Sequence, residues 1–390
     1  MKPYILYYPV VVITFAIIAG HILVLLGVLL NRLRDLVFIK KLKTDSEPGF
    51  PEGSGELVSV IVAARNEEKN LPELIESLRE QSDKYFEIVF INDRSTDGTE
   101  TVLENIKEEM GDRVKIIVNN QDPEGCNPKQ FALDLGIEEA NGSILLFTDA
   151  DCVVPSGWVE YYKHYFDNSR TGVVFGQLSV KDNGSFFERY QAFDQLLLHQ
   201  YNSGTAGLGL LTGCFGNNLA VRREVIDAIG GFRALGYTTT EDAALLGAVN
   251  RQKKWKGRVS TLKETMIETA PQKSWKGFMS QHVRWNMGGF YADDLQSRLG
   301  YRFIVLYLVF SILLIPAAAI YPFLFIMPVT SFVFPGLLGF TGGLLYSKDR
   351  IKLLLMFIPY MLLFMVFYSL ATVLAIFKVT VKWKGTVLKP

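Results

Sequence analysis

Apolar residues are concentrated at the two ends of the chain, where they predict membrane-spanning helices. The first apolar run extends from Tyr4 to Leu30, with His21 as its single titratable residue. About 20 helical residues are enough to cross a bilayer, so this run predicts a membrane anchor. A cleaved signal peptide is the alternative, but the run is too long and no small-residue cleavage pattern follows it. We therefore expect the anchor to be retained.

A second apolar region follows the central part of the chain. The stretch Tyr301–Tyr346 is broken near Pro316, Pro322 and Pro328 and is long enough for two spans. A further apolar segment reaches Phe377. The pattern therefore predicts about three spans at this end of the chain and about four in total.

Basic residues beside these runs predict the orientation of the chain. Five lysines and arginines lie between Arg32 and Lys43, immediately after the anchor. Because cytoplasmic flanks carry such an excess, we expect the following domain to lie in the cytoplasm. Three later spans would place the four lysines between Lys378 and Lys389 outside, against the same bias. Either one segment is re-entrant or the bias is overruled, and the sequence leaves both open.

The central part of the chain alternates between two hydrophobic periods. Leu57 to Ala64 has the pattern of a short strand, and apolar residues from Leu71 to Leu78 then recur at helical spacing. The alternation continues with expected strands at Phe86–Ile91, Val114–Val118 and Ile144–Thr148, and helices after Asp97 and from Pro128. This pattern predicts an α/β fold with a mostly parallel sheet, helices on both faces, and ligands at the carboxyl ends of the strands.

Polar residues cluster at those strand ends. The first strand is followed by Arg65-Asn66-Glu67, the second by Asn92-Asp93-Arg94-Ser95-Thr96-Asp97-Gly98, and the fourth by Asp149-Ala150-Asp151. A turn or helix cap could explain any one cluster, and capping is part of the explanation for Asp97-Gly98-Thr99. Three clusters at one sheet edge instead predict a nucleotide site that includes Ala64, Arg65, Glu67 and Asp93.

A pair of carboxylates at this edge predicts a metal site. Asp149 and Asp151 are separated by one residue, so in extended chain both side chains point to the same side. A hard divalent cation, Mg²⁺ or Mn²⁺, would relieve their repulsion and bind diphosphate oxygens. Asp93 could accept a hydrogen bond from a pyrimidine imide, while Arg65 and Lys129 could balance phosphate charge. Lys129 could equally be a solvated lysine in the first turn of a helix.

The overall charge and the cysteines narrow the class of protein. Lysine plus arginine equals aspartate plus glutamate at 40 each, so we expect no nucleic acid partner. Cys126, Cys152 and Cys214 have no paired or metal-binding spacing, which predicts free thiols in a reducing compartment.

The motifs together resemble family 2 glycosyltransferases of the membrane synthase type, such as cellulose, hyaluronan and poly-N-acetylglucosamine synthases and ceramide glucosyltransferase. The resemblance covers about Val58 to Trp285. It is carried, in order, by VSVIVAARNEE with NDRSTDGT, TDADC, GCFGNNLAVRREVIDAIGGF, Thr240-Glu241-Asp242 and the Q-x-x-R-W motif Gln281-His282-Val283-Arg284-Trp285. Pro128 and Asp134 depart from the family pattern, which usually has Gly and Asn at these positions.

This resemblance implies a glycosyltransferase A-type domain and an inverting reaction. It implies that Asp242 is the general base for the acceptor hydroxyl, with Glu241 in support. It also implies that Gln281, Arg284 and Trp285 bind the nucleotide, with Arg284 stabilising the diphosphate during catalysis. Capping of a helix is a second role that Glu241 and Asp242 could share.

The segment that contains the Q-x-x-R-W motif has the pattern of an amphipathic helix. Its apolar face is expected to comprise Trp275, Phe278, Met279, Val283, Met287 and Phe290, with Gln281, Arg284 and Trp285 opposite. We interpret it as a helix in the membrane interface, with its apolar face toward lipid. A helix packed in a protein core is the alternative.

These patterns predict an integral membrane enzyme of a bacterial inner membrane with a cytoplasmic catalytic domain. The expected donor is a nucleoside diphosphate sugar, here a UDP-sugar, and the expected acceptor a lipid or short glycan. A processive polysaccharide synthase is the alternative, whereas a non-catalytic scaffold or a transporter fits less well. The expected segments are an anchor with its basic flank (1–46), a linker (47–55), the catalytic domain (56–272), the interface helix (273–298), spans (299–378) and a tail (379–390).

Overall fold

The computed structural model describes residues 4–45, 55–347, 350–383 and 386–388. The chain forms two units. The helical unit comprises Met1–Leu30, Asp182–Leu210 and Pro271–Pro390, and the α/β unit comprises Asn31–Lys181 and Leu211–Ala270.

The strands are short, and all but the last two lie in the α/β unit. They are β1 Val58–Ala64, β2 Phe86–Asp93, β3 Val114–Asn119, β4 Ile144–Asp149, β5 Cys152–Val153, β6 Thr171–Phe175, β7 Leu178–Val180, β8 Asn218–Arg222, β9 Lys256–Val259, β10 Ile267–Thr269, β11 Val381–Trp383 and β12 Thr386–Leu388.

The helices are short in the α/β unit and mostly longer in the helical unit. They are α1 Tyr4–Asp45, α2 Leu71–Arg79, α3 Thr99–Met110, α4 Pro128–Glu139, α5 Trp158–Tyr165, α6 Phe186–Gly207, α7 Arg223–Ile229, α8 Glu241–Gln252, α9 Trp275–Phe290, α10 Leu295–Leu313, α11 Ile315–Ala318, α12 Ile326–Tyr346 and α13 Arg350–Ile376. Short 3₁₀ helices cover Gly111–Arg113, Arg233–Leu235, Lys263–Thr265 and Pro322–Phe325.

The main sheet has seven strands in the order β3-β2-β1-β4-β8-β6-β9. β1 pairs in parallel with β2 and β4, β2 with β3, and β6 with β9, whereas β8 is antiparallel to both of its neighbours. A smaller sheet has the order β5-β10-β7. The expected α/β fold with a mostly parallel sheet is therefore confirmed.

The central strands end level with one another. Ala63 lies opposite Asp149 of β4, and Ala64 lies opposite Asn92 of β2. Every residue of β2, and all but one of β1, is buried, which explains their nearly continuous apolar sequences. The polar clusters that follow these strands are therefore brought to one edge of the sheet.

The C-terminal part of α1 is built into the α/β unit through Asp35. The Asp35 carboxylate is fully buried and accepts hydrogen bonds from Thr261 N–H and Oγ1, both at 2.7 Å. Tyr165 Oη donates to it at 3.0 Å and Arg258 Nη2 at 3.1 Å. The α/β unit thus includes α1 from Asn31 onward, although the sequence placed the start of the catalytic domain at residue 56. Residues 46–54, nearly all of the expected linker, lie outside the described residues.

Three helical segments in the described ranges are long and apolar enough to cross a membrane. They are Tyr7–Leu42, Pro322–Tyr346 and Arg350–Ile376. The other segment expected to span, near residue 301, forms α10, whose first half carries Arg298 and Arg302. Its crossing of a membrane stays a prediction.

Helix α9 is packed in the helical unit. Phe278, Val283 and Met287, expected to face lipid, are at most 5% exposed. Val283 and Met287 form a cluster with Ala371 of α13. The expectation that Phe278, Val283 and Met287 face lipid is therefore wrong, because other side chains of the helical unit cover them. Trp275, on the same predicted face, is 42% exposed, and the location of α9 in the membrane interface stays a prediction. Periodicity identified an apolar face but could not show what covers that face.

Candidate active site

The loops after β1 and β2 are joined by reciprocal hydrogen bonds. Asn66 accepts at Oδ1 from Thr96 N–H (2.7 Å), and its own N–H donates to Ser95 Oγ (3.0 Å). Asn66 and Arg94 have positive φ angles of 57° and 54°, which is uncommon for residues other than glycine. These bonds fix the two loops to each other at the sheet edge.

Asp97 has the structural role expected of a cap. Its Oδ1 accepts from Thr99 N–H (3.1 Å) and Thr99 Oγ1 (2.6 Å), and its Oδ2 accepts from Glu68 N–H (3.3 Å). Burial raises the pKa of the Asp97 carboxyl, but these hydrogen bonds outweigh that effect, so the pKa lies below its ordinary value.

Asp93, expected to bind a pyrimidine base, is held by Arg94 and Asn119. Arg94 Nε and Nη2 donate to its two oxygens at 2.9 and 3.0 Å, and Asn119 Nδ2 donates at 2.7 Å. The hydrogen bond to Asp93 raises the pKa of the Arg94 guanidinium, which also pairs with Asp122. Sequence reasoning identified Asp93 but missed both partners, although Asn119 ends the strand next to it.

Lys129 joins two of the carboxylates that the sequence predicted to be functional. Its Nζ lies 2.8 Å from Asp149 Oδ1 and 3.2 Å from Glu241 Oε1, and its side chain is 15% exposed. Burial alone would lower the pKa of this ammonium, but Asp149, Glu241 and Asp242 outweigh it and hold the pKa above its ordinary value. Lys129 is therefore not a solvated first-turn lysine.

The backbone around Asp242 fixes its carboxylate. Gly216 N–H donates to Oδ2 and Ala243 N–H donates to Oδ1, both at 2.8 Å. A Cβ at residue 216 would lie 3.1 Å from Asp242 Oδ2, so only glycine fits without a shift. Asp242 lies in the first turn of α8, which agrees with a capping role and leaves a catalytic role open.

The residues available for a metal are Asp149 and Asp151. The Asp149 side chain is 36% exposed, and Asp151 is partly exposed. Among the described residues, no group of three or more His, Cys, Asp or Glu side chains could hold an ion. Two carboxylates nevertheless fit Mg²⁺ or Mn²⁺ when diphosphate oxygens and water complete the coordination shell. The donor set therefore suits a cation that is shared with a nucleoside diphosphate.

The remaining predicted nucleotide residues of this unit follow β1. Ala64 is buried at the end of the strand, and Arg65 is partly exposed directly after it. Glu67 is 4% exposed, and its Oε2 accepts from Asn70 Nδ2 at 2.6 Å. Glu67 thus has a structural bond, and its role in nucleotide binding stays a prediction.

Gln281, Arg284 and Trp285 lie on α9 of the helical unit, where all three are partly buried. His282, between them in sequence, is fully buried, and its Nε2 lies 3.0 Å from Asp194 Oδ2. Its ring centroid lies 5.0 Å from that of Trp285. The predicted functions of Gln281, Arg284 and Trp285 stay predictions.

The three cysteines are free, as expected. Cys126 and Cys152 are buried and Cys214 is partly buried. Burial, with Asp242 and Glu241 nearby, holds the pKa of the Cys214 thiol well above its ordinary value. The thiol is therefore protonated at neutral pH and is a poor nucleophile.

The edge of the main sheet thus carries the pair Asp149 and Asp151, with Lys129 between Asp149 and Glu241, and Asp242 follows Glu241 in α8. Residues 59–230 match the model of glycosyl transferase family 2. The chain therefore contains a region that matches a glycosyl transferase family 2 domain.

Known relatives share part of this chain. The beta-monoglucosyldiacylglycerol synthase of Nostoc sp. is 26% identical over 283 residues, which are 69% of this chain and 58% of the relative. The GalNAc(5)-diNAcBac-PP-undecaprenol beta-1,3-glucosyltransferase of Campylobacter jejuni is 31% identical over 140 residues, 34% of this chain and 44% of the relative. The chain thus spans less than two thirds of the length of these relatives.

A solved structure shares the fold. The mannosyltransferase PcManGT from Pyrobaculum calidifontis, in complex with GDP-Man and Mn²⁺, has a TM-score of 0.51 and 17% identity, with 94% of this chain and 99% of that chain covered. The expected glycosyltransferase A-type fold is therefore confirmed.

Proposed function

We propose that this protein is a membrane-bound, inverting glycosyltransferase that moves a sugar from a UDP-sugar to a membrane-associated lipid or short glycan. The observation that carries the proposal is the position of Lys129 between Asp149 and Glu241 at the carboxyl ends of the strands. Asp242 also acts on the charge of Lys129, so three carboxylates surround one ammonium. The negative excess of this cluster suits a cation and a proton-accepting base.

Asp242 is the proposed general base. In an inverting displacement, the acceptor hydroxyl attacks the anomeric carbon, loses its proton to the base, and the bond to the diphosphate breaks. The N–H groups of Gly216 and Ala243 hold the Asp242 carboxylate in one orientation. Glu241 does not share this role, because its Oε1 is paired with Lys129.

Asp149 and Asp151 are the proposed metal ligands. When bound, Mg²⁺ or Mn²⁺ supplies charge neutralisation for the departing diphosphate. Lys129 contributes a fixed positive charge beside Asp149. Arg65 follows β1 at the same sheet edge and could pair with phosphate oxygens.

The hydrogen bonds of Asp93 favour uracil as the donor base. A carboxylate has about four acceptor sites, and Arg94 and Asn119 donate three hydrogen bonds to this one. One remaining site suits the single imide N–H of uracil better than the paired N–H groups on the edge of guanine. PcManGT was solved with GDP-Man, so the donor base needs a direct test.

The acceptor is proposed from the relatives and from the membrane segments. The named relatives are a beta-monoglucosyldiacylglycerol synthase and a GalNAc(5)-diNAcBac-PP-undecaprenol beta-1,3-glucosyltransferase. A polysaccharide channel needs several surrounding helices, and three candidate spans in the described ranges favour a lipid or short-glycan acceptor.

The candidate spans also bear on orientation. One candidate begins before the α/β unit and two follow that unit, so the C-terminal lysines would lie on the same side of the membrane as the α/β unit. This count agrees with a cytoplasmic catalytic unit in a bacterial inner membrane and with positively charged cytoplasmic flanks. A C-terminal fluorescent protein should be fluorescent in bacterial cells, whereas activity of a C-terminal alkaline phosphatase would contradict the count.

Turnover in nanodiscs tests the proposed function. We would supply Mn²⁺ or Mg²⁺, a panel of UDP- and GDP-sugars and lipid extract, and measure nucleotide release and lipid products. Metal-dependent UDP release with one-sugar lipids, lost in Asp242→Asn, is the expected result. A ladder of long products would favour a processive synthase, and nucleotide binding without turnover would favour a scaffold. Arg284→Met, run alongside, tests the predicted contribution of the Q-x-x-R-W motif.

A further inference from the structure

Gln130 is a fully buried side chain whose hydrogen-bonding capacity is completely used. Its Nε2 donates to the carbonyl oxygens of Phe232 (2.9 Å) and Gly236 (2.8 Å). Its Oε1 accepts from the N–H groups of Asn127 (3.0 Å) and Thr238 (3.3 Å). A glutamine has two donor hydrogens and two acceptor lone pairs, so all four are occupied.

Two nearby side chains, the N-cap residue Asn127 and Asp134 of α4, also bind the segment 231–238. Asn127 Nδ2 donates to Thr238 O at 2.6 Å. Asp134 Oδ1 accepts from Phe232 N–H and Oδ2 accepts from Arg233 N–H, both at 2.7 Å. Both side chains are at most 5% exposed. Residues 127, 130 and 134 therefore form one buried polar face, which we call the α4 polar face.

The segment 231–238 is shaped to fit the α4 polar face. Gly231 has a φ of 81°, and a Cβ there would lie 2.9 Å from Asp134 Oδ1. Asp134 also accepts from Arg233 Nε at 3.1 Å, so the guanidinium balances its charge. The departure from the asparagine usual at this position is thus accompanied by a local cation.

The α4 helix also reaches the carboxylate cluster. Lys129, next to Gln130 in sequence, contacts Asp149 and Glu241. The segment 231–238 leads after two residues into α8, which begins with Glu241 and Asp242. One turn of α4 therefore contacts both the carboxylates and the backbone that leads into the proposed base.

We propose that Gln130 is a positioning residue, which sets the place of Asp242 by fixing the segment 231–238; this inference rests on the proposed function of Asp242. All the hydrogen bonds of the Gln130 side chain go to backbone atoms, so its proposed action is through the backbone. Removal of its amide leaves the carbonyl oxygens of Phe232 and Gly236 and the N–H groups of Asn127 and Thr238 without this partner. The segment then has room to shift, and small displacements of a base cost much of its catalytic effect.

The test compares Gln130→Met with Leu133→Ala in the full-length protein in nanodiscs. Methionine has a similar volume and lacks the amide, whereas Leu133→Ala removes buried apolar atoms of the same helix. We expect Gln130→Met to lower kcat at least tenfold with the KM for the donor changed less than threefold. Leu133→Ala, assayed well below its Tm, should keep kcat within twofold. If Gln130→Met does not fold, Gln130→Glu replaces it, because a carboxylate keeps the two acceptor bonds and loses the two donor bonds.

Hydrogen exchange of the donor-free protein separates this inference from the proposed function. We expect faster exchange across 232–240 in the Gln130 variant and unchanged exchange across 58–64. Equal loss of kcat in the Gln130 and Leu133 variants at matched Tm, or unchanged exchange across 232–240, would overturn the positioning role. Absence of turnover in the wild-type protein with all donors would contradict the proposed function, while the exchange result still decides whether Gln130 fixes the segment.

Discussion

Asp35 and Asp149 are two aspartates of the α/β unit that pair with cations in different surroundings. The Asp35 carboxylate is fully buried and accepts hydrogen bonds from Thr261, Tyr165 and Arg258. The Asp149 carboxylate is 36% exposed, and its cation, Lys129, is shared with Glu241. The first charge is enclosed and balanced, whereas the second belongs to an open cluster with more negative than positive groups.

This difference separates a structural carboxylate from a reactive one. A buried charge must be paired and fully hydrogen-bonded, so Asp35 has no capacity left for a ligand. The Asp149 side chain is 36% exposed, and in the proposed function it exchanges its lysine contact for a metal ion. We propose that exposure and local charge balance, more than residue type or ion pairing, distinguish the functional aspartate.

The largest effect is expected from Asp149→Asn. The amide is a weaker metal ligand, so kcat/KM should fall about a thousandfold, or about 4 kcal/mol. Stability should change by less than about 1 kcal/mol, because the side chain is partly exposed and lies among like charges. Initial rates at a series of Mn²⁺ concentrations measure the first effect and thermal unfolding the second. The exposed Asp112→Asn is the matched control, and a less than tenfold loss in Asp149→Asn would remove Asp149 from the mechanism.

Asp35→Ala should lower stability and leave turnover nearly unchanged, which is the reverse of the result expected for Asp149→Asn. It leaves Arg258 and the Thr261 N–H without their buried partner, and breaking such a pair costs about 3 kcal/mol. Thermal unfolding should show a clear loss of Tm, while turnover per folded molecule at low temperature stays near wild type. Tyr165→Phe, which removes one of the hydrogen bonds, should cost about 1 kcal/mol. An unchanged Tm with lost activity in Asp35→Ala would show that Asp35 is a functional residue and not a structural one.

The first half of the α/β unit could be predicted from its sequence. β1 to β4 and the start of α4 follow from hydrophobic period and capping residues, because β1, β2 and β4 are mostly buried and each connection is local. Helix α6 was not predicted, since buried Gln191, Asp194 and Gln200 interrupt its apolar pattern. The antiparallel β8 was also missed, because pairing between strands distant in sequence depends on tertiary contacts.

The candidate site was predicted better by position than by partners. Asp93 ends β2 and Asp149 ends β4, the two neighbours of β1, so their placement at one edge of the sheet was predictable from the strand pattern. Arg94 was passed over as a loop residue, and Asp35 lay unnoticed in a basic flank. The partners of Asp35, Tyr165 and Thr261 among them, are distant in sequence, and Arg94 reaches Asp93 from a loop position with positive φ. Side-chain contacts of this kind have no periodic signature.

Lys129→Gln tests whether the carboxylates around Lys129 can bind a cation in place of its ammonium group. The ammonium 2.8 Å from Asp149 opposes a second positive charge, so its removal should tighten Mn²⁺ binding without nucleotide by about tenfold, or about 1.4 kcal/mol. Turnover should fall, because the fixed charge beside the diphosphate is lost. Calorimetric titration in nanodiscs measures the affinity, and Lys129→Arg, which keeps the charge, should resemble wild type. Weaker Mn²⁺ binding in Lys129→Gln would instead mean that the lysine is needed to order the carboxylates.

The smallest effect is expected at Asp97, which is partly exposed but, like Asp35, accepts several hydrogen bonds. Because the pKa of its carboxyl is lower in the folded state, Asp97 contributes stability above the unfolded pKa of about 3.9, and this contribution is lost as pH falls through the folded pKa. Asp97 is partly exposed, so Asp97→Asn should cost less than about 1 kcal/mol at pH 7. The difference in Tm from wild type should shrink as the pH falls below about 4. A Tm difference that is constant from pH 7 to pH 3.5 would show that the hydrogen bonds of Asp97 do not depend on its charge. Asp97 would then differ from Asp35, whose charge is paired with Arg258.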